Sequence, residues 1–236
     1  TNEWQRFEAT LNNSTTSSAF RIRLRGNEST SDYADVSIYG AQLEQQAYAT
    51  SLIPTAGAAE TRVGETCTSA GNVDTFNSEE GVLYAEIQAL ANAGGDRRIS
   101  ISDGTINNRL LIYYYSVADK IAFLFNTGGV LQLFDTQDIT TTDYNKIALR
   151  WKLNDAKIYI NGTLAHTDTS ISVPSAGTFK QIQFDDLGSN NFYGKTKALA
   201  TYNRALTDTE LYTITSTQYS AYSGMVAALG NYTIPC

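Results

Sequence analysis

Three glycine-bearing residue pairs, each set between short runs of strand-forming side chains, restrict this chain more than any other feature. Asp103-Gly104 separates Ile99-Ser100-Ile101 from Arg109 to Tyr113. Gly128-Gly129 separates Ile121 to Phe125 from Val130 to Phe134, and Asn161-Gly162 separates Lys157 to Ile160 from Thr163-Leu164. A tight hairpin turn needs positive φ at its central positions, which Gly, Asn and Asp tolerate, so each pair predicts two antiparallel neighbours. Further strand candidates at 82–89, 145–152, 179–184 and 192–202 bring the total to about ten short strands. Fifteen tyrosines and abundant Thr, Ser and Asn suit pleated surfaces and polar turns. The prediction is all-β: a two-sheet antiparallel jelly-roll sandwich, its middle filled by Leu83, Ile87, Ile147, Leu149, Trp151, Ile158, Ile160, Ile182 and Phe184.

One helix is well signalled. Thr207 and Glu210 have the spacing of a capping box, with Leu206 and Leu211 at the positions of a hydrophobic staple. This predicts a short helix over 208–215, and Tyr222, Met225 and Leu229 with Gly230 after them predict a second over 221–229.

Upstream, period-2 alternation recurs in Phe7, Ala9 and Leu11, in Phe20, Ile22 and Leu24 against Arg21, Arg23 and Arg25, and from Val36 and Ile38 on to Leu43. These predict half-buried strands, with the arginine row on a solvated sheet face. So few strands make a poor sandwich alone; either they pack onto the rest of the chain or they end a module that starts upstream. The predicted organisation is a partial β-sandwich segment over 1–45, a linker over 46–64, the jelly roll over 65–217 and a helical tail over 218–236.

Charge and rare residues remove several function classes. A net charge of −7 with pI near 4.7 opposes the phosphate attraction on which nucleic-acid binding depends. No apolar run approaches the roughly 18–20 residues of a membrane helix, so membrane insertion is not expected. A single histidine, His166, and two cysteines, Cys67 and Cys236, weaken zinc-site and histidine-triad readings. Gly128-Gly129 lacks the lysine and helix of a phosphate loop. Tyr113-Tyr114-Tyr115 places rings on both sheet faces, one for the core and one available as a sugar platform.

The text of the chain resembles a known family. Val36-Ser-Ile-Tyr-Gly-Ala-Gln-Leu-Glu44, Tyr48-Ala-Thr-Ser-Leu-Ile-Pro54-Thr55 and Thr61-Arg62 are similar to a junction in bacteriophage tail-fibre and related virion proteins. The runs Phe76 to Glu86, Tyr159-Ile-Asn161-Gly162 and Phe192 to Thr207 resemble the laminin-G-like branch of the concanavalin A-like lectin/glucanase superfamily. The resemblance implies a jelly roll that binds cell-surface glycan, sometimes through calcium as its cofactor. It also implies a place on a virion fibre or appendage, or on an exported bacterial surface protein, among other virion or fibre subunits and as a homotrimer. Fold does not fix function: a purely structural fibre or capsid-decoration domain is the alternative, and a glycan hydrolase a third reading. The hydrolase needs two carboxylates about 5 Å apart for retention, whereas the candidate strand reads Tyr84-Ala-Glu86-Ile-Gln88, with an amide where the second acid belongs and only Asp185 or Asp186 as a distant partner. A Cys67–Cys236 bridge would close a long loop, while cytoplasmic virion assembly would keep both thiols reduced; both states stay open.

The candidate site is the segment Phe184-Asp185-Asp186-Leu-Gly188-Ser-Asn190-Asn191-Phe-Tyr193, predicted to be a loop at one rim of the sandwich. Asp185, Asp186 and Asn190 offer the hard oxygen ligands that calcium prefers, and Asn191 and Tyr193 offer amide and ring contacts for a sugar. Asp103 and Asn126 join them if their turns reach the same rim. The same composition also makes an ordinary turn without any ligand.

Overall fold

The structure, a computed structural model, describes residues 3–8, 36–44, 52–60, 70–92 and 95–216. The chain divides into two units, Thr1–Gly64 and Glu65–Cys236.

In the first unit the described residues form neither strand nor helix, and Phe7, Val36, Ile38 and Leu43 are exposed. The strand expected from Val36 to Leu43 is thereby corrected. Alternation yields a strand only where a neighbour takes the backbone hydrogen bonds and a core takes the apolar face, and no such ladder joins these residues. The arginine-bearing run at 20–25, the helix expected over 221–229, Cys67 and Cys236 lie outside the described residues.

The second unit contains β1 (Glu80–Ala89), β2 (Arg97–Ser102), β3 (Arg109–Tyr114), β4 (Lys120–Thr127), β5 (Val130–Asp138), β6 (Asn145–Lys152), β7 (Ala156–Ile160), β8 (Thr163–Asp168), β9 (Gln181–Gln183), β10 (Gly194–Tyr202) and the helix α1 (Asp208–Thr215). They form two five-stranded antiparallel sheets, β10-β1-β6-β7-β8 and β5-β4-β3-β2-β9. Leu83, Ile87, Ile147, Leu149, Trp151, Ile158 and Ile160 all lie in the buried layer between the sheets, and Ile182 and Phe184 pack against it. The fold is the expected sandwich.

All three glycine pairs separate antiparallel neighbours as predicted, and two of them form two-residue turns. Gly128 and Gly129 have φ of +59° and +80°, and Asn161 and Gly162 of +50° and +81°, with Thr127 opposite Val130 and Ile160 opposite Thr163; this is the all-positive geometry that matches strand twist. Asp103-Gly104 behaves differently. It opens a longer loop, Asp103 to Asn108, closed by the Asp103 carboxylate, which accepts from Thr105 N–H at 2.8 Å, the Thr105 hydroxyl at 2.7 Å and Asn108 Nδ2 at 2.8 Å. The side chain folds the loop, so the two-residue turn expected there is corrected.

β1 is buried on both faces because α1 covers the outer side of its sheet. Val82, Tyr84, Ala148, Tyr159, Tyr202, Leu206, Leu211 and Ile214 form a second apolar layer there. The capping box is complete, with Thr207 accepting from Glu210 N–H and Glu210 accepting from Thr207 N–H at 2.8 Å. Arg150, buried under the helix start, donates to Leu206 O at 2.8 Å and pairs with Asp155 and Asp208.

Candidate functional site

The outer face of the β5-β4-β3-β2-β9 sheet remains uncovered by any described helix. Its composition follows from register, because side chains directly opposite share a face. Ser102, Arg109 and Asn126 stand in one row, Ser100, Leu111, Leu124 and Phe134 in the next, and Arg98, Tyr113, Ala122 and Thr136 in a third. In β3 the alternation sends Tyr114 to the core, where it stacks on Phe192 with ring centroids 6.0 Å apart, and leaves Tyr113 on the outer face.

Three rings stand on this side of the sheet: Tyr113 is buried with Leu111 and Ala122, while Tyr115 packs over that cluster and, with Phe134, reaches solvent. Tyr113 meets Tyr115 edge-on at 6.1 Å, and Tyr115 meets Phe134 edge-on at 6.4 Å. Phe134, on the edge strand β5, is 48% exposed. The Arg98 guanidinium lies 5.0 Å from the Tyr113 ring centroid, a cation–π placement. Burial, then the nearby Asp96 charge, pushes the Tyr113 hydroxyl up to about 12, so it stays a neutral donor and acceptor at physiological pH.

Ion pairs hold the arginines. One oxygen of Asp186 receives both Arg98 and Arg109, each at 2.5 Å, and Asp96 receives Arg98 at 2.6 Å. Lys120 and Asp138 pair at 2.6 Å on the same face. The Asp186 side chain is only 5% exposed. Its carboxylate reaches the sheet because the segment after β9 turns back on itself. Asp186 and Ser189 exchange backbone hydrogen bonds of 2.8 and 3.1 Å around Leu187 and Gly188, whose φ values are +54° and +79°. Asn190 O accepts from Arg98 N–H at 3.0 Å, and Asp185 O accepts from the Ser100 hydroxyl at 2.6 Å, tying the turn along β2.

This geometry places the residues singled out in the sequence. Asp185 is buried, and its Oδ1 accepts from Gly188 N–H at 3.0 Å, closing the turn. Asn190 is exposed, Asn191 forms an isolated bridge with Arg98, and Tyr193 is exposed. Asn126 donates to Ile106 O at 3.1 Å, and Gly128 N–H donates to Asn108 at 2.8 Å, so Asp103 and Asn126 belong to two latched turns. Those turns lie beyond the Ser102–Arg109 end of the sheet, whereas Asn190 lies beside Arg98, about 13 Å away along the strand. The long Arg109 side chain joins the two regions, through Asp186.

The residues expected to hold calcium have other partners here. Asp186 already faces two guanidinium groups, and their positive charge repels a dication. Asp185 is spent on its own turn. Among the described residues no three His, Cys, Asp or Glu side chains gather as a metal cluster. Asp185, Asp186 and Asn190 thus do not fit a calcium ion, which seeks uncompensated oxygens.

The proposed catalytic pair separates as well. Glu86 stands on the outer face of the other sheet, opposite Ala198 and Lys146, with Lys197 at 2.9 Å. Asp185 and Asp186 lie beyond the core, along β2. His166 joins the two sheet edges, with Nδ1 3.3 Å from Asp135 Oδ1. Sequence reading missed Arg98, Arg109 and Phe134. Arg98 was recoverable from the alternation Arg98-Ile-Ser-Ile-Ser102; its partner Asp186, 88 positions away, was not.

Similarity to known proteins agrees with this architecture. Comparison with curated protein sequences finds no match. The solved carbohydrate-binding module CBM40 of the Ruminococcus gnavus IT-sialidase, bound to α2,3 sialyllactose, aligns at a TM-score of 0.50 and 17% identity over 58% of this chain and 83% of that one. The leech intramolecular trans-sialidase aligns at 0.50 and 16% identity over 60% of this chain and 24% of its own. The sequence profile of the concanavalin A-like lectin/glucanases superfamily matches residues 64–212. The two-sheet sandwich and that match together place this chain in the concanavalin A-like lectin/glucanases superfamily.

Proposed function

We propose that this chain is a non-enzymatic carbohydrate-binding module that holds a cell-surface glycan against the outer face of the β5-β4-β3-β2-β9 sheet, and that it is carried on a phage fibre or related virion appendage. The observation that carries the binding reading is the pair of solvent-reaching rings Tyr115 and Phe134, edge-on at 6.4 Å and backed by the buried Tyr113 beside Arg98. Flat rings take the apolar face of a pyranose, and adjacent side-chain donors and acceptors take its hydroxyls. A family whose name joins lectins to glucanases, and a neighbour of the same fold bound to α2,3 sialyllactose, support it. The separation of Glu86 from Asp185 and Asp186 supports binding over hydrolysis, since a glycosidase needs its two carboxylates across one bond. The virion context rests on the junction-like runs at 36–44 and 48–62.

The test is a glycan array with wild type and Phe134→Ala. Wild-type binding lost in the variant is expected; no binding by wild type, or equal binding by both, overturns the reading.

One observation favours an assembly role as a second reading. Val130, Leu131 and Phe134 are exposed along the edge strand β5, and an open edge with apolar side chains invites pairing. A homotrimer in sizing experiments supports it, and a stable monomer removes it.

A further inference from the structure

We infer that the glycan held on this sheet face is uncharged, and that the face discriminates against carboxylated sugars despite its two arginines. The inference rests on the binding reading above and adds the ligand's chemical class to it.

The first argument is charge. A bare arginine pair is a carboxylate receptor, because each guanidinium offers a planar fork of donors. Here each cation already faces a carboxylate. Arg98 is held by Asp96 and Asp186, Arg109 by Asp186, and Lys120 by Asp138. Three cations face three carboxylates, so the face presents no net positive charge, on a chain that itself carries −7. An arriving carboxylate would have to displace Asp186, whose side chain is almost wholly buried and lies 2.5 Å from both guanidinium groups, or be desolvated beside it.

The second argument is hydrogen-bonding capacity. The groups on this face that lack a partner are of both kinds, the donors Arg98 Nε and Arg109 Nε and the acceptors Asp186 Oδ1 and Asn126 Oδ1; all four are closed off from solvent, so a ligand meets them only by displacing a neighbouring side chain. Buried polar atoms normally have partners. A carboxylate only accepts, so it satisfies the donors and leaves both acceptors bare. A hydroxyl donates and accepts at once, and a neutral pyranose carries several. The rings Tyr115 and Phe134 beside these groups supply stacking that does not depend on charge.

The experiment compares one sugar with and without a carboxylate: the full chain titrated with lactose and with 3′-sialyllactose, and with maltotriose and cellotriose as further neutral probes, followed by heat and by NMR shifts of the Arg98 and Phe134 amides. The expected result is saturable binding of at least one neutral probe, with 3′-sialyllactose at least tenfold weaker than lactose or undetectable. Asp186→Asn keeps the size and the acceptor oxygen but removes the negative charge, and is expected to narrow or reverse that ratio. Wild type preferring 3′-sialyllactose to lactose overturns the inference and leaves the binding reading intact. Failure of every probe to shift the Phe134 amide overturns both. If Asp186→Asn does not fold, Asp96→Asn frees the other side of Arg98 and is expected to move the ratio in the same direction; an unchanged ratio in a folded variant overturns the charge argument.

Discussion

Replacing Asp186 by Ala tests how the arginine face is built. The carboxylate is buried and receives both Arg98 and Arg109 at 2.5 Å. Removing one member of a buried ion pair costs about 3–5 kcal/mol, because the other charge stays buried without compensation. Arg98 keeps Asp96 at 2.6 Å, so the loss falls mainly on Arg109 and sits near the lower end, about 3 kcal/mol. At about 2–4 °C per kcal/mol for a domain of this size, Tm falls by about 6–12 °C. The assay is thermal denaturation followed by circular dichroism at pH 7, in low and high salt; the pair is mostly hidden from solvent, so salt should change the difference little. Arg109→Met/Asp186→Leu should recover much of the loss, since it removes the charge that Asp186→Ala strands while Arg98 keeps Asp96. A Tm drop below about 2 °C for Asp186→Ala, equivalent to under about 1 kcal/mol, would refute the reasoning by showing that these pairs behave as surface contacts do.

Other predictions follow from the same structure. Gly81→Ala places a Cβ 2.5 Å from Trp151 Cζ2 and 2.7 Å from Tyr202 O, and this overpacking should cost about 1–3 kcal/mol in denaturant unfolding; a neutral effect would mean that β1 and β6 are spaced more loosely at this point. The Arg204 guanidinium, acting first, and the N–H and hydroxyl of Thr207 hold Glu210 down to about 2. A carboxylate lowered on folding stabilises fully above its unfolded value, about 4.3, and loses that contribution as pH falls through the folded one. The stability gap between wild type and Glu210→Gln should therefore be constant from pH 7 to about 5 and close as pH falls toward 2; a gap still open there contradicts the pairing. Phe134→Ala removes an exposed ring and should leave stability within about 0.5 kcal/mol of wild type, so lost glycan binding in that variant reads as lost contact. A large fall in Tm would instead show the ring to be structural.

Local chemistry made most of the sandwich legible. Gly128-Gly129 and Asn161-Gly162 announce their hairpins because only such residues accept two successive positive φ values, and Thr207 with Glu210 announces α1 through side chains that satisfy its first N–H groups. Asp103-Gly104 announced the β2–β3 pair but not the length of its loop, because a carboxylate that caps a longer loop uses the same residue types as a tight turn. Val36 and Ile38 misled for a different reason: period-2 alternation describes a strand's two faces but not whether a partner strand exists. In the site, the outward rings were readable from Tyr113-Tyr114-Tyr115. The composition of the Asp185–Asn191 turn suits a ligand loop and a plain turn alike and does not reveal its ion pairs, because the arginines that take up Asp186 come from β2 and β3, far away in sequence. Long-range charge pairing leaves no periodic signature.

The central claim is that the outer face of the β5-β4-β3-β2-β9 sheet holds a glycan. The most direct measurement is a residue-resolved NMR shift map of the full chain during titration with the best oligosaccharide from the array. The account predicts saturable shifts gathered at Arg98, Arg109, Tyr113, Tyr115, Ala122 and Phe134. Shifts gathered instead on α1 or around Glu86 and Lys197, on the opposite sheet, would contradict it.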